Sequence, residues 1–271
     1  MQRLEAFTKP RDTTNGDALV TGTHYLAVID GATPKAHPRV NGLPADTFAA
    51  TAVAHILATA PAQLTQAQMA DYLTRHFRQT LVEHTCCPAD PTTERPYVGG
   101  LVIASLYRQE VWVIGDGIYR INEQTTVVSK LIDRINGGIR AAELRRQIAA
   151  GVPLADLLGA QDPGRRKIMP RLEQQRYFAN RADGHPWAYS CLNGETIPPH
   201  LLRQPTPFKA GDLVILSSDG FDQLAPTWAE TCAQQAAGYQ ADPLRLEAKA
   251  TKGLNTLQGQ HDDWSYLSFI A

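Results

Sequence analysis

Leu213-Val214-Ile215-Leu216-Ser217-Ser218-Asp219-Gly220 is a short apolar run that ends in an acidic turn. A run of this length, rich in branched residues and closed by Asp-Gly, predicts a buried strand with a carboxylate at its end. The pattern recurs. His24–Ile29 (HYLAVI) ends in Asp30-Gly31, and Val111–Ile114 runs into Gly115-Asp116-Gly117. The first apolar run is entered through Asn15-Gly16-Asp17, and the last, Trp264–Ile270, through His261-Asp262-Asp263. A single Asp-Gly is an ordinary turn, because Asp accepts local backbone hydrogen bonds and Gly supplies positive φ. Asp183-Gly184, with no apolar strand before it, reads as only that. Several acids beside buried strands are different, since each is costly unless paired, hydrogen-bonded or bound to a cation. Few Lys or Arg adjoin them in sequence, so the set points to hard, oxygen-liganded ions such as Mg²⁺ or Mn²⁺.

Outward from these runs, the chain alternates strands and helices. Asp17–Val20 and His24–Ile29 form a hairpin-like pair, followed by helical periodicity over Asp46–Ala58 and Thr65–Glu83. Thr65 with Gln68 predicts a capping box. Leu101–Leu106, Glu110–Ile114, Tyr119–Ile121 and Thr125–Val128 read as strands, as do Trp187–Leu192 and Leu213–Ser217. Between them Leu131–Asn180 is charged and mainly helical, with breaks expected at Gly137-Gly138, Gly151–Pro153 and Gln161–Gly164. Helices over Pro226–Ala237 and Pro243–Leu257 precede the closing strand. The class is α+β with largely antiparallel sheets. One domain over 1–271 is expected, with 131–180 as a helical flap or inserted subdomain.

Composition excludes several partners. With 271 residues, 43% hydrophobic and 20% charged, the balance is that of an ordinary globular protein. A net charge of -1 without a Lys/Arg block argues against nucleic acid, and no apolar window reaches the ~18 residues of a membrane span. The opening MQRLEAFTKPRDTTNGD lacks the apolar segment of a secretory signal. Adjacent Cys86-Cys87 and isolated Cys191 and Cys232 read as reduced thiols of a cytoplasmic protein. Cys86 and Cys87 are followed by no phosphate-cradling Gly/Arg loop, and no GxxxxGK[ST] motif is present.

In the order of these motifs the chain resembles the metal-dependent Ser/Thr protein phosphatases of the 2C type along essentially its whole length. Asn15-Gly16-Asp17-Ala18 is similar to that family's Glu-Asp-Ala element, Asp30-Gly31 to its metal-bridging Asp-Gly, and Gly115-Asp116 to its Gly-Asp-Ser-Arg motif. Ser218-Asp219-Gly220 resembles its Ser-Asp-Gly, and His261–Ser265 its closing Asp-Asn-x-Ser/Thr. The resemblance implies an αββα sandwich of two antiparallel sheets flanked by helical pairs. It also implies two or three Mg²⁺ or Mn²⁺ ions. Asp30 would bridge two of them, the Gly31 carbonyl would bind one, Asp219 and Asp262 would complete the coordination of the second ion, Asp17 would act through metal-bound waters, and Asp116 would help hold a looser third ion. Arg11, or Lys9 as a second choice, would bind the phosphate. The reaction implied is hydrolysis of a phosphoprotein or small phosphoester by a metal-bridging hydroxide, without a covalent phosphoenzyme.

The departures define the alternatives. The family's Glu before Asp17 is Gly16, and the residue after Asp-Gly, where some members carry a general-acid His, is Ala32, followed by Thr33-Pro34. His24, His37 and His261 are the nearest histidines in sequence. The motif Arg is displaced to Arg120. A pseudophosphatase that senses or scaffolds, and a small-molecule phosphoesterase with the same centre, are the two rival readings.

Overall fold

Along the strand Tyr25–Gly31 (β3), side chains alternate between two cores, and this alternation aims its acid. Tyr25, Ala27 and Ile29 enter one apolar cluster, while Leu26 and Val28 enter another. By the period of two, Asp30 shares a face with Leu26 and Val28. The computed structural model describes residues 2–9, 15–33, 35, 39–84, 95–159, 162–254 and 261–271. Two five-stranded antiparallel sheets form its centre.

In the first sheet, β2 (Asp17–Thr21), β3, β6 (Val98–Ser105), β7 (Glu110–Gly115) and the short β10 (Thr206–Pro207) lie in the order β10-β7-β6-β3-β2. A small hairpin of β4 (Arg39–Val40) and β5 (Leu43–Pro44) precedes α1. In the second sheet, β1 (Gln2–Thr8), β8 (Gly117–Ile121), β9 (Gln124–Val128), β11 (Leu213–Ser217) and β12 (Ser265–Ile270) are ordered β1-β12-β11-β8-β9. Leu26, Val28, Val102, Val113, Val214, Leu216, Leu267 and Phe269 fill the space between the sheets. The closing strand lies between β1 and β11, so the two ends of the chain are hydrogen-bonded side by side.

Helices α1 (Ala45–Ala58) and α2 (Gln66–His84) cover the outer face of the first sheet through Phe48, Val53, Leu57, Leu73 and Phe77. The capping box at Thr65 is formed: its amide donates to Gln68 Oε1 at 2.9 Å, and its hydroxyl accepts from the Gln68 amide at 3.3 Å. The outer face of the second sheet carries α5 (Trp228–Ala241), whose Trp228 stacks on Phe7 at 4.7 Å between centroids. The expected helix after α5 is absent from the described residues 243–254, which form turns instead. Asp242 ends the preceding helix and accepts from the amides of Leu246, Glu247 and Ala248, an arrangement that competes with a helical ladder. Trp187–Leu192 likewise contributes only isolated bridges, Ala179 to Tyr189 and Val98 to Leu192.

An arm projects from the end of β9. Helix α3 (Leu131–Ala149) pairs with α4 (Pro163–Gln174), where Arg140 and Leu144 close on Gly164. The break expected at Gly137-Gly138 does not occur, and α3 runs through both glycines. The reason lies in packing. A Cβ at Gly137 would sit 1.5 Å from the Lys249 carbonyl oxygen, so the bare helix face lets residues 249–250 lie against it. At Gly138 nothing lies within 4 Å. Gly137→Ala should therefore lower stability by about 1–3 kcal/mol. Gly138→Ala should raise it by about 0.5–1 kcal/mol. Urea melts of the two variants check the contrast, and equal effects would refute the packing role of Gly137.

Candidate metal centre

The register of the first sheet sets two acids side by side. Asp17 on β2 is directly opposite Asp30 on β3, and on its other side Asp30 is opposite Gly100. Like charges directly opposite on neighbouring strands repel. Gly100 also bridges to Asp116, and a Cβ there would come 2.6 Å from the Asp116 carbonyl and 2.9 Å from its carboxylate. Glycine at 100 thus lets the third acid fold in beside the first two. Gly115, at φ +78 with a would-be Cβ 1.9 Å from the Gly99 carbonyl, makes the same close approach from the other strand.

The second sheet supplies the remaining acids at its facing end. Ser218, one residue past β11, donates from Oγ to Asp17 Oδ2 at 2.7 Å and accepts from the Ser265 amide at 3.0 Å. Asp219 follows it at the turn. A Cβ at Gly220 would come 2.2 Å from the Asp263 carbonyl, so that turn packs against the approach to β12, where Asp262 lies. The result is an open cavity of about 350 Å³ whose wall includes Asp30, Asp116, Asp219 and Asp262. Asp17 lies behind it, buried on the Ser218 hydroxyl. Gly31 does not line the cavity, and its carbonyl oxygen is 3.1 Å from where a Gly16 Cβ would be. Arg11, His37, Cys86 and Cys87 lie outside the described residues.

The acids perturb one another. Burial, together with the Asp219 and Asp17 charges, pushes Asp30 well above the usual carboxylate range. Enclosure and the neighbouring Asp116 and Asp262 do the same to Asp219. Burial raises Asp17 to about 7, against the opposing pull of the Ser218 hydroxyl. Among the described residues Asp30 and Asp219 accept no hydrogen bond, and Oδ1 of both Asp17 and Asp116 is buried without a partner.

Two lysines that sequence proximity did not suggest enter the site. Lys130, at the base of α3, holds Asp116 at 2.7 Å and is 10% exposed. Lys252 holds Asp262 at 2.5 Å and also reaches Thr33 Oγ1 at 3.3 Å. Enclosure alone would raise Asp262, but Lys252 and His261 bring it below its ordinary value. Lys9 is not on the cavity wall; it pairs with Asp263 at 2.6 Å. With Asp116 and Asp262 engaged by ammonium groups, no three His, Cys, Asp or Glu side chains among the described residues enclose a point that could hold an ion. The all-carboxylate chemistry still fits a hard divalent cation at Asp30 and Asp219, the two acids left without a donor.

Several departures in sequence have local causes. Beside Gly16 the space for a side chain is taken by Asp46 Cβ at 3.2 Å and Asp263 Oδ2 at 3.3 Å from the ideal Cβ. Two acids therefore stand around the place of the missing Glu. Arg120 points away from the cavity and donates to the Leu224 carbonyl at 2.9 Å. His24 precedes β3 at the end opposite Asp30. His261 lines the cavity, within 2.6 Å of the Tyr239 hydroxyl, and burial followed by the Arg245 charge lowers it to about 4.

Solved structures give a whole-length comparison. The chain is similar to Ser/Thr phosphatases of the PPM type. The Mycobacterium tuberculosis serine/threonine phosphatase PstP/Ppp is 16% identical, with 98% of this chain and 97% of that one covered and a TM-score of 0.49. The PPM Ser-Thr phosphatase MsPP of Mycobacterium smegmatis is 14% identical, with 98% and 97% covered and a TM-score of 0.46. A PstP catalytic domain in complex with two manganese ions is 16% identical, covers 98% and 96%, and has a TM-score of 0.47. At such identities the likeness concerns the fold. No family model and no curated protein matches the chain.

The burial of Asp17 has a measurable consequence. From an ordinary value of 3.8, burial raises it in the folded chain to about 7. Between these values the folded chain keeps a proton that the unfolded chain has lost, so this group's contribution to stability falls as pH rises through the window. In metal-free protein the melting-temperature advantage of Asp17→Asn over wild type should therefore grow from pH 3.8 to about 7 and then level off. A difference independent of pH would contradict it.

Proposed function

We propose that this chain is a metal-dependent phosphomonoester hydrolase of the PPM type, acting on phospho-Ser/Thr proteins in the cytoplasm. The observation that carries this reading is the Asp30–Asp219 pair. Both carboxylates face the cavity, both are raised by burial and by their acidic neighbours, and neither side chain accepts a hydrogen bond from the described residues. Charge of this density is stabilised most directly by divalent cations. Bound Mg²⁺ or Mn²⁺ would activate a water and neutralise charge on the phosphoryl oxygens. Asp30 and Asp219 would hold the first ion, with Asp262, Asp116 and the Gly31 carbonyl available to further ions after local rearrangement.

The chain's own groups supply the rest. Asp17 stays behind the cavity, where the Ser218 hydroxyl fixes its orientation and ties the two sheets together. Lys35, Arg134, Arg165 and Lys249 line the same cavity and would draw a phosphate dianion toward the acids. Arg11 remains a proposed phosphate ligand. His261 is neutral at pH 7 and engaged by Tyr239, so protonation of the leaving alcohol falls to water rather than to an imidazolium. The free thiols Cys191 and Cys232 line no part of the cavity, so attack by water is favoured over a cysteine nucleophile.

One observation favours a second reading. The Lys130–Asp116 and Lys252–Asp262 pairs neutralise two of the acids internally, as a binding module without turnover would require. The experiment that separates the readings is p-nitrophenyl phosphate hydrolysis with and without Mn²⁺, alongside titration calorimetry. The hydrolase should turn over only with Mn²⁺, and Asp30→Asn or Asp219→Asn should weaken Mn²⁺ binding by roughly 100-fold and abolish turnover. Metal binding without turnover would select the pseudophosphatase. Phosphopeptides compared with a metabolite panel would distinguish the protein phosphatase from a small-molecule phosphoesterase.

A further inference from the structure

Lys252 is held in place by the helical arm. Arg140 on α3 is fully buried and donates from Nε to Asp162 at 2.7 Å, joining α3 to the N-terminal cap of α4. Its Nη1 donates onward to the Ala250 carbonyl at 3.1 Å. Arg165, in the first turn of α4, donates from Nη1 to the Thr251 carbonyl at 3.0 Å. Gly137 completes the seat by admitting the Lys249 carbonyl against α3. Three successive backbone units are thus clamped by the arm, and the next residue is Lys252. Its ammonium group bridges Asp262, on the second-sheet side of the cavity, and the Thr33 hydroxyl, just past β3.

We propose that Lys252 is a tethered counter-ion of Asp262 that competes with a divalent cation for that carboxylate, and that the α3–α4 arm sets its position. This rests on the reading of the same acids as a divalent-ion site. The ammonium group occupies one oxygen of Asp262, so an ion that uses this carboxylate must displace it or share it, and in either case a unit positive charge stands beside the incoming cation. The clamp makes displacement a movement of residues 249–252 rather than a free side-chain rotation. Thr33 stands two residues after Gly31, and its hydroxyl provides the second anchor. Arm position and metal occupancy are therefore linked, since whatever lifts the arm from Gly137 and residues 249–251 also frees Asp262.

The test is Mn²⁺ titration calorimetry on the full chain. Lys252→Met removes the charge and keeps the stem, Lys252→Gln removes the charge and keeps a polar tip, and Lys252→Arg keeps the charge. Both neutral variants should bind Mn²⁺ at least about tenfold more tightly than wild type, with Lys252→Arg close to wild type. Each neutral variant should also melt lower than wild type without metal and gain more on adding Mn²⁺, because Asp262 is then left for the ion alone. Asp219→Asn in the Lys252→Met background should weaken the binding again, which locates it in this cavity. Equal Mn²⁺ affinity in wild type and both neutral variants would overturn the competition while leaving the divalent-ion site intact. Absence of Mn²⁺ binding in every variant, Lys252→Met included, would overturn both.

Discussion

Mutual repulsion among carboxylates packed at one end of two facing sheets is the constraint to which the rest of the site answers. Asp17 and Asp30 are cross-strand neighbours, and Asp116 folds in over Gly100. The five acids are accommodated in three ways. Burial raises Asp17 to about 7, so it holds a proton there, while the Ser218 hydroxyl donor pulls the other way. Asp116 and Asp262 take ammonium groups. Asp30 and Asp219 take no described partner and face the cavity. This division of labour explains why the cavity carries both signs of charge.

Close backbone approach makes the crowding possible. Gly100, Gly115 and Gly220 each sit where a Cβ would fall within 2.6 Å of a neighbouring carbonyl. Removing any of these glycines would separate the strand ends and relax the repulsion, at the cost of the shape that aims the acids into one cavity. Gly137 serves the arm in the same way. At Gly100, Gly220 and Gly137 the missing side-chain volume is what counts, whereas Gly115, at φ +78, also needs glycine's conformational freedom.

The strands that carry the acids were legible because their apolar runs are short, bounded by Gly and Asp, and alternate with the sheet. Leu213–Ser217 is read in the sequence with the bounds it has in the structure. Where reading failed, tertiary contact outweighed local preference. Gly137-Gly138 lie inside a helix because residues 249–250 pack onto it, and 243–254 fails to form one because Asp242 captures three amides. Edge strand β1 (QRLEAFT) leaves little apolar signal, because Gln2, Arg3, Glu5 and Thr8 interrupt its few apolar residues. Lys130 and Lys252 were invisible for a different reason. Each stands at least ten residues from the acid it pairs with, and only the folding of the arm against the sheets brings them together.

Charge balance shows what the lysines contribute to the site. Two ammonium groups touch two of the five carboxylates, and Lys35, Arg134, Arg165, Arg245 and Lys249 line the same cavity together with Asp133 and Asp222. Two of the acids are thus neutralised from within the fold, and the arm, through its hold on residues 250 and 251, positions the lysine of one of those two pairs.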